Sequence, residues 1–186
     1  MSRVDFSQIP GAMILQTGRT YDERGFFEKI FDKKVFASLK LNTDLDSIAI
    51  SSNTHIGTLR GLHFQSPPFA EDKIVTCIAG SIFDVVVDLR YGSQTFRKWA
   101  AVKLESQDEQ ALYLPAGVAH GFQTLVDNST VLYGITSTYN PTNAHSIRYS
   151  DPELNITWPM SVGIVSTKDA EGLFLADAVG ISTEHR

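Results

Sequence analysis

SIFDVVVDLR, residues 81–90, is the stretch from which the fold of this 186-residue chain is read. Side chains alternate across an extended strand, so Phe83, Val85, Val87 and Leu89 share one face while Ile82, Asp84, Val86 and Asp88 share the other. Two acids on an otherwise apolar face point to a polar cavity beside this strand. Outward from it, short apolar or alternating runs separated by turn residues recur at 12–16, 25–31, 47–53, 58–64, 73–78, 98–104, 110–114, 121–126 and 130–137. Strands at this spacing predict an all-β sandwich or barrel. Asp32 is placed to cap a short helix over 33–39, with Val35, Phe36 and Leu39 on one stripe, and a second short helix is expected around 169–176.

The composition narrows the function classes. Hydrophobic residues make up 42% of a chain whose length suits one domain, and no repeat or low-complexity tract divides it. We therefore expect a single domain over 1–186, with its core in about 12–159 and a C-terminal segment, 160–186, that supplies Asp169. The formal charge is −5 and Lys and Arg are scattered, so neither nucleic acid nor an anionic membrane is an expected partner. Any phosphate must be gripped locally. The one cysteine, Cys77, lies in an apolar run over 74–78 and reads as a buried structural thiol. The amino terminus does not have the basic-then-apolar layout of a signal peptide, and no apolar run reaches the length of a membrane span. A cytoplasmic address is expected.

A second stretch, GTLRGLHFQSPPFAEDK over 57–73, gathers an Arg, a His, a Gln and a Lys where a strand with small-residue breaks can turn them into one pocket. Alternation puts Leu59, Gly61 and His63 on one face with Gln65 beyond, and Arg60, Leu62 and Phe64 on the other, unless Gly61 twists the strand. Arg60 thus either reaches a different part of a ligand or rests in a surface ion pair. Gly57 precedes His63 by six positions, and Pro115-Ala116-Gly117 is followed after two residues by His120. These spacings resemble the paired motifs of the cupin superfamily, a double-sheet jelly roll. A metal-binding cupin carries a second His two positions after the first, where this chain has Gln65. With His63, His120 and Glu71 as the remaining candidates, the pocket is expected to work without metal or cofactor. No glycine-rich dinucleotide fingerprint follows any strand.

LRGLHFQ over 59–65, Lys73, FDVVVDLR over 83–90, LPAGVAHGF over 114–122, DPELNITWP over 151–159 and ERGFFEKIF near the amino terminus occur in this order. Together they resemble the dTDP-4-dehydrorhamnose 3,5-epimerase family. The resemblance implies an all-β, cupin-like double-sheet jelly roll with a few short peripheral helices. It also implies an isomerase that inverts C-3, C-5 or both in a nucleoside-diphosphate 4-keto-6-deoxyhexose, within deoxysugar or O-antigen synthesis. A homodimer with active sites shared between subunits is expected from it as well.

Such chemistry needs a base and an acid on opposite faces of the sugar, because hydrogen next to a ketone leaves as a proton and the charge moves onto the carbonyl oxygen. By resemblance His63 is the base, Asp169 the carboxylate that holds its imidazole, Tyr133 the proton donor on the other face and Lys73 the cation at the enolate oxygen. On the residues alone, Asp169 reads as a helix cap, Tyr133 as a strand aromatic and Lys73 as a strand-start lysine. His120 and Asp84 are expected to form a second pair lining the pocket. Arg24 and Arg60 match positions that approach the diphosphate, and Gln65 is included among the binding residues. Phe26 and Glu28 match positions that reach the nucleotide of the neighbouring subunit, while Tyr139 matches an aromatic beside the sugar or base.

Residues 47–51, Ser-Ile-Ala-Ile-Ser, carry Ile48 and Ile50 where dTDP-using members have Gln and Asn, and Ala144 stands where a glutamate would follow the Tyr-x-Pro turn. The nucleotide is therefore expected to be decided at Ile48 and Ile50. A second reading is a C-5 epimerase of a CDP-linked 4-keto-3,6-dideoxyhexose. Rivals from other classes are a non-catalytic jelly-roll module that binds a sugar nucleotide, and a metal cupin.

Overall fold

The computed structural model describes residues 2–5 and 8–178. Its strands are β1 (Ser2–Asp5), β2 (Met13–Gln16), β3 (Arg19–Asp22), β4 (Gly25–Glu28), β5 (Ser47–Asn53), β6 (Leu59–Gln65) and β7 (Lys73–Ala79). They continue with β8 (Ser81–Asp88), β9 (Trp99–Glu105), β10 (Gln110–Leu114), β11 (Val118–Thr124), β12 (Ser129–Ile135) and β13 (Ala144–Ser146). Helices α1 (Lys33–Ser38) and α2 (Thr167–Ala170) are short, and one more helical turn covers 175–178. Antiparallel pairing builds a six-stranded sheet in the order β1-β2-β10-β7-β12-β5, a five-stranded sheet in the order β13-β6-β11-β8-β9, and a separate β3–β4 hairpin. This is the double-sheet jelly roll.

Three apolar layers explain why its strands are buried on both faces. Between the sheets, Val75, Leu112 and Val131 pack against Val86 and Phe122. Behind the five-stranded sheet, Val85, Val87 and Leu89 meet Ile147, Leu154 and, from the C-terminal segment, Leu175. Behind the six-stranded sheet, Met13, Leu15 and Ile74 are covered by Phe36 of α1. Asp32 starts that helix, accepting hydrogen bonds from the N–H groups of Lys34 and Val35 at 3.1 and 3.3 Å.

The alternation in β8 holds, with one correction. Asp84 faces the space between the sheets, but Asp88 does not line a cavity. Its carboxylate takes hydrogen bonds from Arg90 Nε (2.8 Å), Ser93 Oγ (2.6 Å) and Thr95 Oγ1 (2.6 Å), and so closes the β8–β9 turn. Burial pushes this acid up, yet those donors outweigh it and hold it down at about 2.

Two local features position the site. The first is a bulge in β6. His63 stands opposite His120 and Arg60 opposite Phe122, so Gly61 and Leu62 together face Gly121 alone. The extra residue turns Arg60 and His63 onto the same cavity, whereas simple alternation separates them. A Cβ at Gly61 would lie 2.6 Å from both Gly121 Cα and His120 O, and the φ of 108° favours glycine as well. The second feature is the C-terminal segment, which runs beside β6. Leu59 N–H donates to Ile164 O at 2.8 Å, and Leu173 N–H donates to Ser146 O at 2.7 Å. This path carries α2 and Asp169 to the edge of the sheet. Residues 179–186 of the expected C-terminal segment lie outside the described residues.

Candidate active site

A cavity of about 370 Å³ opens between the two sheets. The six-stranded sheet contributes Ser47 and Ser51 from β5, Lys73 from β7, and Tyr133 and Ile135 from β12. The five-stranded sheet contributes Arg60, His63, Phe64 and Gln65 from β6 and His120 and Phe122 from β11. Glu71, Ser137, Tyr139, Ala144, His145 and Lys168 complete the wall.

His63 Nε2 lies 2.7 Å from Asp169 Oδ1. The imidazole is 44% exposed and the carboxylate 6%, so the ring opens to the cavity while its partner is enclosed. Asp169 also accepts from Gly61 N–H at 3.2 Å and Ser146 Oγ–H at 3.1 Å. Burial opposes its ionisation, but His63 and these donors outweigh burial and hold it below the usual carboxylate range. An ionised carboxylate only accepts, so Nε2 carries the hydrogen and the lone pair is on Nδ1.

His120 forms the second pair, with Nε2 2.8 Å from Asp84 Oδ2. Asp84 is fully buried and does not line the cavity, which corrects its expected role as a binding residue. It orients His120 from behind. Burial pushes its carboxyl up, against the pull of His120 and Lys73. The His120 ring in turn meets Tyr133 edge-on, with centroids 6.0 Å apart. Burial and the nearby Asp84 both push the Tyr133 phenol far up, so it stays protonated throughout the physiological range.

Lys73 Nζ is 3.0 Å from Glu71 Oε1 and donates to His63 O at 3.2 Å. An ammonium has three N–H groups, so one remains for a ligand. Among the described residues Arg60 has no ion-pair partner. Its Nε donates to Asn53 Oδ1 at 2.6 Å, which steadies the guanidinium at the cavity mouth. Gln65 lines the cavity with its amide already engaged. Nε2 donates to Phe69 O and Thr138 O, and Oε1 accepts from Asn140 N–H at 2.7 Å, so Gln65 ties two loops together. Exposed Tyr139 stands in the cavity wall.

A family model described as dTDP-4-dehydrorhamnose 3,5-epimerase matches residues 7–177. The chain belongs to this family. It is 43% identical over 168 residues to the dTDP-4-dehydrorhamnose 3,5-epimerase of Mycobacterium tuberculosis, covering 87% of this chain and 82% of the relative. Its fold matches the solved rmlC epimerase of the same organism with a TM-score of 0.90 at 38% identity, over 97% of this chain and 92% of that one. A Legionella pneumophila 3,5-epimerase solved with dTDP-4-keto-L-rhamnose matches with a TM-score of 0.88 at 37% identity, covering 94% and 93%. A chain of the dTDP-4-dehydrorhamnose 3,5-epimerase family is a sugar-nucleotide epimerase, an isomerase.

The remaining expected residues lie elsewhere in this member of the family. Arg24, Phe26 and Glu28 sit on the β3–β4 hairpin and do not line the cavity of their own chain. Glu28 pairs with Arg19 at 2.7 Å and takes a short hydrogen bond from Thr17, Phe26 lies under the Arg19 guanidinium, and exposed Arg24 pairs with Asp22. Ile48 and Ile50 are exposed on the opposite face of β5 from Ser47 and Ser51, which alternation sends inward. The expectation that those isoleucines meet the nucleotide is therefore not met within the chain. Lys168 and His145 were not anticipated. Lys168 neighbours Asp169 in α2, and that adjacency was its one available signal. His145 is brought in by β13; burial and then Lys168 hold its imidazole below the usual range. Among the described residues no three His, Cys, Asp or Glu side chains converge as a metal site, because His63 and His120 each face their own aspartate.

Proposed function

We propose that the protein inverts carbons beside the ketone of a nucleoside-diphosphate 4-keto-6-deoxyhexose, by proton removal and return through an enolate. The observation that carries this reading is the His63–Asp169 contact of 2.7 Å on one wall of a cavity whose other wall holds the Tyr133 phenol. His63 Nδ1 takes the proton, and Asp169 stabilises the imidazolium that results. The free N–H of Lys73 meets the oxygen on which charge develops. Tyr133, on the facing sheet, returns a proton from the other side, which is what turns exchange into inversion. Arg60 and Lys168 supply positive charge for the diphosphate.

The same reading includes a homodimer with shared sites. Tyr21, Phe26 and Phe27 on the hairpin, together with Ile48 and Ile50 on the sheet edge, are exposed apolar side chains of the kind that a second copy covers. Arg24, Phe26 and Glu28 then serve the neighbour's nucleotide. Light scattering at a mass of two 20.5 kDa chains supports this, and a monomer that turns over fully sinks it. The buried free thiol of Cys77 suits a reducing cytoplasm.

The reaction is tested by incubating the protein in deuterated water with dTDP-4-keto-6-deoxyglucose and reading the label at each carbon. Label at C-3, C-5 or both is expected. Tight binding of the sugar nucleotide with no label at either carbon would leave a binding module in its place.

A further inference from the structure

His145 lines the cavity and has no part in the proton transfers described above. It stands on β13 opposite Phe64 of β6, with ring centroids 5.2 Å apart, so the imidazole is held over an apolar surface. Its Nε2 is 3.3 Å from Ser66 Oγ, which also accepts from Asn143 Nδ2 at 2.9 Å. Among the described residues Nε2 is the one acceptor paired with that buried hydroxyl, so Ser66 donates and Nε2 accepts. A neutral imidazole that accepts at Nε2 carries its hydrogen at Nδ1. No protein group among the described residues takes this hydrogen. The buried polar atoms without a partner are Glu71 Oε2, Thr76 Oγ1 and Ser81 Oγ, so Nδ1–H is open to solvent.

Lys168 of α2 stands in the same wall, and among the described residues its ammonium has no ion-pair partner. Its charge reaches the imidazole, since burial and then Lys168 hold His145 below the usual histidine range. Of the other charged and imidazole groups in the wall, Arg60, His63, Glu71, Lys73 and His120, none acts on the ring in this way. Ser66 and Asn143 beside it are neutral. Two donors without a protein acceptor, one of them a cation, thus share one cavity, and the diphosphate is the anionic group of the substrate class proposed above. We propose that His145 is a further ligand of the diphosphate, donating from Nδ1 beside Lys168. This rests on the assignment of Lys168 to the diphosphate made above. A dianion at this place offsets the Lys168 charge and favours the imidazolium, so His145 takes up a proton from solvent as the sugar nucleotide binds. Affinity therefore strengthens as the pH falls.

The test uses dTDP-glucose, which has no ketone to react and whose doubly esterified diphosphate keeps a constant charge across the range in which histidine titrates. The His145 ring resonance, identified by its loss in His145→Gln, is followed against pH by nuclear magnetic resonance with and without this ligand. It is expected to titrate at higher pH in the complex, whereas thymidine, which has no diphosphate, leaves it unmoved. In calorimetry the wild-type affinity is expected to strengthen by roughly 10-fold from pH ~8 to pH ~5, the effect of one opposite charge near the ring. His145→Gln keeps an N–H donor but cannot take up a proton, so it loses most of that pH dependence. His145→Ala binds more weakly at both ends of the range, and melting curves confirm that both variants fold. A His145 resonance indifferent to dTDP-glucose, or a pH dependence undiminished in His145→Gln, overturns the assignment. Absence of dTDP-glucose binding to the wild type at any pH is a separate result, which removes the sugar-nucleotide reading and this inference with it.

Discussion

His63 and His120 stand directly opposite each other on β6 and β11, and each is held by a different aspartate. Asp169 reaches the first from the C-terminal segment, and Asp84 reaches the second from the neighbouring strand β8. The first imidazole is open to the cavity and the second is almost wholly enclosed. One is therefore available to move protons, while the other orients the wall around Tyr133.

The Asp169 partnership is expected to matter for turnover more than for binding. Asp169→Asn leaves a side chain of nearly the same shape but offers no negative charge to a protonated His63. Loss of about two to four orders of magnitude in kcat with little change in KM is predicted from steady-state kinetics. A KM effect with kcat intact would place Asp169 in substrate binding.

Tyr133→Phe keeps the ring against His120 and removes the donor. Proton removal by His63 is expected to continue, with label washed in but inversion impaired. Nuclear magnetic resonance separates the two by reading label and configuration at the same carbon. Full inversion in this variant would remove Tyr133 from its role.

The bulge gives a stability prediction. Gly61→Ala forces a Cβ to within 2.6 Å of Gly121 Cα and His120 O. The backbone at a φ of 108° also disfavours any side chain. A loss of about 3 kcal/mol is expected in chemical denaturation, with activity falling as Arg60 and His63 lose their shared face. An unperturbed Gly61→Ala protein would show that the bulge is dispensable.

Asp88 gives a pH dependence. Its carboxyl titrates at about 2 in the folded chain against an ordinary value of 3.8. A depressed folded value means that its contribution, about 2 kcal/mol, is present above pH ~4 and is lost as the pH falls toward 2. Asp88→Asn is predicted to be less stable at neutral pH, with the gap from wild type narrowing below pH ~4 in denaturation curves. A gap that stays constant with pH would contradict this.

Much of the fold was legible because its strands carry clear apolar periods. The runs at 47–53 and 110–114 coincide with β5 and β10, and Asp32 caps the helix it was expected to cap. The elements not foreseen, β1, β3 and β13, are short, and β13 sits at a sheet edge where its three residues are fixed by pairing with β6. Within the site, His63, Lys73, His120 and Tyr133 lie on strands whose motifs are dense. Simple alternation sets Arg60 and His63 on opposite faces unless Gly61 twists the strand, and the residue inserted by the Gly61 bulge is that departure. Asp169 and Lys168 come from a one-turn helix about a hundred positions beyond β6. Their arrival depends on the path of the C-terminal segment, which no local pattern encodes. Asp88 reads as a cavity acid in the sequence, which shows its face but not the Arg90, Ser93 and Thr95 donors that surround it.

The most direct test of the central claim is deuterium wash-in, read carbon by carbon, for the wild type and His63→Ala side by side with dTDP-4-keto-6-deoxyglucose. The wild type is predicted to take up label next to the ketone, and His63→Ala to take up none while binding the nucleotide sugar with nearly unchanged affinity. Label entering the His63→Ala protein at the wild-type rate would contradict the assignment of His63 as the base.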